Sequence, residues 1–139
     1  MRIVLDTNVV MSALLWRGTP YRLLDTIQQR SSMQLYSSTA LLEELADVLT
    51  RPSATKRLAL IDKAAGKVLA DYLEVTELIE PTTVPRIVLN DPDDDHVLAC
   101  ALAAHANLIV TGDRKHLLPL GSYEGIAIVD AAAALRLIG

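Results

Sequence analysis

Apolar and polar positions follow two periods along the chain, and the change from one period to the other marks the predicted elements. Short apolar runs rich in Val, Ile and Leu predict strands, and segments with apolar residues every three or four positions predict helices. The predicted strands are RIVL (2–5), MQLYSS (33–38), NLIVTGD (107–113) and IAIVD (126–130). The predicted helices are TPYRLLDTIQQR (19–30), ALLEELADVLTR (40–51), 54–72, PDDDHVLACALAAHA (92–106) and the Ala-rich terminal segment.

Turn-forming and capping residues set the borders of these elements. Pro20 fits the first turn of a helix, Ser37, Ser38 or Thr39 can cap the next one, and Pro52 is expected to end it. Residues 73–88 contain two prolines and are predicted to form an edge strand or an irregular extended segment. Residues 117–125 are predicted to form a loop.

Alternation of strands and helices is typical of a mostly parallel sheet with helices on both faces. The expected fold class is therefore α/β, in the form of a three-layer α/β/α sandwich. The chain has 139 residues and shows no internal repeat, linker or low-complexity tract, so residues 1–139 are expected to form a single domain.

Composition excludes several classes of protein. Hydrophobic residues make up 51% of the chain, which argues against disorder, and the net charge of −4 argues against a non-specific basic nucleic-acid binder. No apolar run approaches the roughly 18 residues that span a bilayer, and no signal-peptide pattern precedes the first strand. The single cysteine, Cys100, suits a reducing compartment, so a cytoplasmic location without membrane attachment is expected.

Two carboxylates stand at the ends of predicted strands. Asp6 follows RIVL, and Asp113 follows NLIVTG. The carboxyl ends of parallel strands are where open α/β sheets bind ligands. Because burying a charge there is costly without a compensating partner, both residues are candidates for one functional crevice.

A helical wheel adds a third carboxylate. In the helix 40–51, Leu41, Leu45 and Val48 belong to the apolar stripe, Glu44 falls at its border and Glu43 lies on the opposite side. Glu44 is therefore expected to reach the crevice, and Glu43 is expected to be solvated.

The fourth candidate comes from an Asp-rich helix start. Asp91 precedes Pro92 and suits a helix cap, while Asp93 and Asp94 suit the first turn. Asp95 lies one turn before Leu98 and is therefore expected to share the face packed on the sheet. Asp91, at i−4 from Asp95, is kept as a possible accessory residue.

Convergence of four acids predicts a metal ion. Two unit charges about 4 Å apart repel by about 4 kcal/mol at an effective dielectric constant of about 20, and a hard divalent cation relieves this repulsion. Carboxylate ligands favour Mg²⁺ or Mn²⁺ over Zn²⁺. The three histidines, His96, His105 and His116, lack a spacing that would make them predicted ligands.

The order of the motifs VLDTN, SSTALLEELADVLTRP and DPDDDHVLACALAAHANLIVTGD resembles the PIN domain over essentially the whole chain, and within it the VapC-like toxins of bacterial toxin–antitoxin pairs. The resemblance implies a metal-dependent endoribonuclease whose acidic quartet is Asp6, Glu44, Asp95 and Asp113. Asp6, Asp95 and Asp113 would hold Mg²⁺ or Mn²⁺, and Glu44 would be a ligand or would orient the attacking water. Because Asp93, Asp94 and Asp95 are consecutive, the third position of the quartet is defined only to within one residue.

The same resemblance implies supporting residues and partners. Asn8 and Thr111 match polar positions that would fix carboxylate rotamers or position the substrate. The expected partners are an RNA substrate, a small antitoxin protein with a basic tail and a second copy of the chain, which would pair through the helices near Trp16 and residues 40–48.

Two other classes of protein share parts of this pattern. An aspartyl-phosphate phosphatase needs an acid two residues after the first one, where this chain has Asn8, and a receiver domain needs paired acids and a late strand-end lysine that the chain lacks. A non-catalytic or housekeeping PIN relative is the remaining alternative, although all four acids are present.

Overall fold

The computed structural model describes residues 1–82 and 92–139, in which six strands form one twisted sheet. The order across the sheet is β3-β2-β1-β4-β6-β5. All neighbouring strands are parallel except β5, which pairs antiparallel with β6. The strands are β1 (Arg2–Leu5), β2 (Gln34–Ser37), β3 (Thr76–Leu78), β4 (Leu108–Val110), β5 (Ser122–Tyr123) and β6 (Ile126–Val129).

Helices cover this sheet on both faces. The described helices are α1 (Thr7–Leu15), α2 (Thr19–Gln28), α3 (Thr39–Val48), α4 (Pro52–Leu60), α5 (Ala65–Glu74), α6 (Pro92–Ala103) and α7 (Ala131–Ile138). A short 3-10 turn at Leu118–Leu120 precedes β5. In these residues no helix combines the length and the apolar character needed to cross a membrane.

The core consists of two clusters, one on each face of the sheet. Ile3 and Leu5 of β1 belong to the cluster beneath most of the helices, whereas Val4 belongs to the cluster that contains α6. Successive strand residues point to opposite faces, so one short strand contributes to both clusters. The expected three-layer α/β/α architecture with a mostly parallel sheet is confirmed.

The differences from the predicted elements have local causes. The helix α1 was not predicted, because its residues are apolar on most sides and follow β1 with only Asp6 between them. The predicted helix 54–72 is two helices, α4 and α5, separated by a turn at Asp62, whose φ is 55°. Pro52 follows α3 as expected, but it also begins α4.

Helix caps place two of the candidate residues. Asp6 is the cap of α1, and one of its carboxylate oxygens accepts a hydrogen bond from the Thr7 amide. Ser38 caps α3 by accepting from the Leu41 amide at 3.4 Å. Because each helix begins directly after a parallel strand, both start at the same edge of the sheet.

Candidate active site

A pocket of about 350 Å³ lies at the carboxyl ends of β1 and β4. Among the described residues, four carboxylates line it, together with two other polar side chains that can contact a ligand. The carboxylates are those of Asp6, Glu44, Asp94 and Asp113, and the other polar side chains are those of Asn8 and Arg51. The topology brings these residues together from three helices and three loops, and Asp6 and Asp113 lie after β1 and β4 as the sequence predicts.

Asp6 and Asp113 are joined through one buried hydroxyl. Oγ1 of Thr111 donates to Oδ2 of Asp6 at 2.7 Å and accepts from the Asp113 amide at 3.0 Å. The Thr7 amide donates to Oδ1 of Asp6 at 2.7 Å. Thr111 is fully buried, so both oxygens of Asp6 are held in one orientation.

Contacts from α6 and from the loop after β4 lower the pKa of Asp113. The Asp94 side chain, by hydrogen bonding, lowers the pKa of Asp113 most, and burial acts in the opposite direction. The Lys115 and His116 amides donate to Oδ1 of Asp113 at 3.0 and 3.2 Å and add to the lowering of its pKa. These contacts favour a carboxylate at neutral pH, which is the form that binds a cation.

His116 joins this cluster, although its sequence position did not predict it. Its Nδ1 lies 3.4 Å from Oδ2 of Asp94 and 3.5 Å from Oδ2 of Asp113. The turn that bonds the His116 amide to Asp113 also brings the imidazole back over the carboxylate, three residues along the chain. Helical spacing could not reveal this contact, because His116 reaches Asp113 through a turn after β4.

Glu44 reaches the pocket from α3. It is half-buried and lines the pocket, whereas Glu43 is exposed, which is the orientation that the helical wheel predicts. Arg51, which follows α3, stands at the rim and forms an exposed ion pair with Asp47 at 3.2 Å. Sequence reasoning did not select Arg51.

The Asp-rich helix α6 presents a different residue from the one expected. Asp94 and Asp95 are both buried, but Asp94 lines the pocket and Asp95 is not part of its lining. Among residues 94–101, all but His96 are buried, so burial marks no single face of this part of α6 and a wheel cannot fix the register. Asp91 lies outside the described residues.

The donor set fits a small divalent cation. Single ligand atoms of Asp94, Asp113 and His116 lie within 4.8 Å of one another. Opposite ligands of Mg²⁺ are about 4.2 Å apart, because each lies about 2.1 Å from the ion. Carboxylate oxygens suit a hard divalent cation, and Asp6 and Glu44 line one pocket together with Asp94 and Asp113.

Comparison with solved structures shows the same fold. The crystal structure of VapBC2 from Rickettsia felis bound to a DNA fragment from their promoter matches with 15% identity and a TM-score of 0.64, over 92% of this chain and 97% of that chain. The crystal structure of FitAcB from Neisseria gonorrhoeae matches with 18% identity and a TM-score of 0.58, over 94% of this chain and 98% of that chain.

Sequence comparison identifies the family. None of the curated proteins matches the chain. A family model described as PIN domain matches residues 2–115, which contain Asp6, Glu44, Asp94 and Asp113. The chain therefore belongs to the PIN domain family.

Proposed function

We propose that this chain is a metal-dependent endoribonuclease and the toxin component of a toxin–antitoxin pair. The observation that carries the proposal is the convergence of Asp6, Glu44, Asp94 and Asp113 on one pocket at the carboxyl ends of β1 and β4. Membership of the PIN domain family supports nuclease chemistry at such a pocket.

Asp6, Asp94 and Asp113 would hold a Mg²⁺ or Mn²⁺ ion, with His116 as an additional donor. When bound, such an ion makes water more acidic and neutralises the charge that develops on a phosphodiester. We assign the third acidic ligand to Asp94 rather than Asp95 because Asp94 faces the pocket.

The other side chains orient the reactants. Thr111 fixes the rotamer of Asp6 through its 2.7 Å hydrogen bond, and supporting contacts of this kind preserve ligand geometry. Glu44, which lines the same pocket from α3, would accept a proton from the attacking water and orient it for in-line displacement. As water attacks phosphorus, the P–O3′ bond would break and the departing 3′-oxygen would take a proton from solvent, which leaves a 5′-phosphate and a 3′-hydroxyl.

A cleavage assay on RNA tests this function. The purified chain should cut RNA with Mg²⁺ or Mn²⁺, and a chelator should stop it, because carboxylates alone do not activate water at neutral pH. The Asp6→Asn variant should not cleave RNA. The Glu43→Gln variant, which changes an exposed residue beside the site, should cleave RNA as the wild type does. Cleavage that survives exhaustive chelation would refute the mechanism, and hydrolysis of phosphomonoesters alone would favour the phosphatase class.

An antitoxin partner is part of the proposal. The similar structures are those of VapBC2 and FitAcB, and the first of them is bound to promoter DNA. A chain with a net charge of −4 and four carboxylates in one pocket is a suitable receptor for an Arg or Lys side chain of a small basic-tailed protein. Homodimerisation through the surface near Trp16, whose side chain is exposed, is proposed on the family resemblance.

Expression in a bacterial host tests the toxin assignment. The wild-type chain should slow growth, Asp6→Asn should not, and co-expression of a small protein encoded beside it should restore growth. Equal effects of the two forms on growth would place the chain among housekeeping PIN proteins instead.

A further inference from the structure

A second pocket, of about 300 Å³, adjoins the acidic pocket and has a different character. The two share Asn8 and Gly112 as a common wall. The second pocket lies between the starts of α1, α2 and α7 and is bounded largely by small or apolar side chains, those of Val9, Pro20 and Ala132 among them. A molecule that occupied one pocket would therefore lie directly beside the other pocket.

One cation stands on the rim of this second pocket. Nη2 of Arg114 lies 3.6 Å from Oδ2 of Asp130, whose Oδ1 accepts from the Ala133 amide at 2.8 Å as the cap of α7. The cap fixes the Asp130 carboxylate, and this carboxylate in turn keeps the guanidinium close to the pocket. The Arg114 side chain is 76% exposed, so its other N–H groups remain accessible to an anion.

We propose that this second pocket binds the nucleoside next to the phosphate that is cleaved. The proposal rests on the nuclease function proposed above and names a subsite of it. The phosphate would lie in the acidic pocket, the base would lie against the apolar wall, and Arg114 would contact the next phosphate along the strand. The volume is at the lower end of the range for small-molecule sites, which is large enough for a single nucleoside.

The lining also indicates how the nucleoside is recognised. Val9, Pro20 and Ala132 offer apolar contact to the face of a base, which every base has, so selectivity among bases should be modest. Ser12 and Thr19 also line this pocket, and their hydroxyls can supply donors and acceptors for a ribose or a base edge.

The first experiment measures binding without turnover. Adenosine 5′-monophosphate and adenosine 3′-monophosphate are titrated into the ¹⁵N-labelled chain with Mg²⁺, and amide shifts are followed. The proposal expects the largest shifts at Gly112 and Ala132 with at least one probe. Shifts with neither probe, or shifts confined to the surface around Trp16, would overturn it. This readout does not depend on RNA cleavage.

The second experiment fills the pocket. Ala132 is exposed on α7 and lines the pocket, so Ala132→Leu adds volume there without disturbing the core. We expect the KM for a short RNA to rise about tenfold, with kcat changed less than about twofold, because ground-state and transition-state binding are weakened alike. Arg114→Gln should raise KM in the same direction. The matched control is Ala70→Leu, the same substitution at an exposed position of α5.

The outcomes separate the two proposals. A wild-type chain that does not cleave RNA with Mg²⁺ or Mn²⁺ would refute the nuclease function, whatever the nucleotide titration shows. A wild-type chain that cleaves RNA, with an unchanged KM in Ala132→Leu and Arg114→Gln, would refute the nucleoside subsite alone.

Discussion

The hydroxyl of Thr111 donates a 2.7 Å hydrogen bond to Oδ2 of Asp6, and this contact links the ends of two adjacent strands. The same oxygen accepts from the Asp113 amide, so a single side chain sets the relative position of two acids of the pocket. Thr111 is fully buried, and no solvent molecule can take the place of its hydroxyl without a rearrangement of the site.

Thr111→Val removes this hydroxyl at nearly constant volume. RNA cleavage should fall by about 10- to 100-fold, as when a residue that supports a metal ligand is lost. The unfolding free energy should fall by about 1–3 kcal/mol, since a buried carboxylate oxygen loses its donor. Cleavage kinetics and chemical denaturation measure the two effects. Thr111→Ser keeps the hydroxyl and should retain most of the activity, and equal losses in both variants would contradict this role.

Asp94 and Asp95 form a matched pair, because they are adjacent and both are buried. Asp94→Asn should reduce cleavage at least 100-fold (about 2.7 kcal/mol in activation free energy), because its carboxylate lines the pocket beside Asp113. Asp95→Asn should affect thermal stability more than it affects activity. The assay compares initial rates and melting temperatures of the two proteins. A greater loss of activity in Asp95→Asn than in Asp94→Asn would favour Asp95 as the acid of the site, as expected from the sequence.

Glu44 and Glu43 offer a similar pair on α3. Glu44→Gln should lower kcat with little change in the affinity for Mn²⁺ if Glu44 handles the attacking water rather than the ion. Glu43→Gln should be close to wild type, because Glu43 is exposed and does not line the pocket. Single-turnover cleavage and calorimetric titration with Mn²⁺ distinguish the two roles. A large loss of cleavage in Glu43→Gln would contradict the orientation of α3 described above.

A bound cation should stabilise the folded chain. At a Mn²⁺ concentration 100 times the dissociation constant, the gain is about 2.7 kcal/mol, which raises the melting temperature of a chain of this size by about 5–10 °C. Asp113→Asn should lose most of this shift, since Asp113 belongs to the cluster with Asp94 and His116. Scanning calorimetry with Mn²⁺ and with EDTA makes the measurement. An identical shift in Asp113→Asn would place the ion elsewhere.

Cys100 should be unreactive in the folded chain. Burial raises the pKa of its thiol to about 12 from an ordinary value of 9.0, and the Ser38 hydroxyl opposes this shift. The pKa of Cys100 is higher in the folded chain than in the unfolded chain. The neutral thiol therefore contributes its full stability below pH 9, and this contribution is lost as the pH rises from about 9 to about 12. A disulfide reagent at pH 8 should label the protein only after denaturation. Rapid labelling of the native chain would contradict the observed burial.

The sequence predicted the layers and most of the pocket because both follow from periodicity and topology. Asp6 and Asp113 follow strands whose borders are visible as apolar runs, and parallel strands leave their carboxyl ends at one edge. Glu44 was located by the wheel because α3 has a distinct apolar stripe, with Glu44 at its border and the exposed Glu43 on the opposite side.

Two parts of the site depend on information that periodicity does not contain. Helix α6 is buried around most of its circumference, so the choice between Asp94 and Asp95 depends on its rotation against the sheet. His116 enters through a turn in which backbone amides close on Asp113, and such a contact is visible only in three dimensions.

The connection from Asp6 to Thr111 also has a consequence for biosynthesis. The two residues are 105 positions apart, and the Thr111 amide itself donates to Val129 of the neighbouring β6. A nascent chain that has emerged only as far as α5 carries Asp6 and Glu44 but lacks Asp94, Asp113 and the hydroxyl that aligns them. The pocket therefore forms only after the segment through Asp113 has been translated, and a product that stops before this segment lacks it.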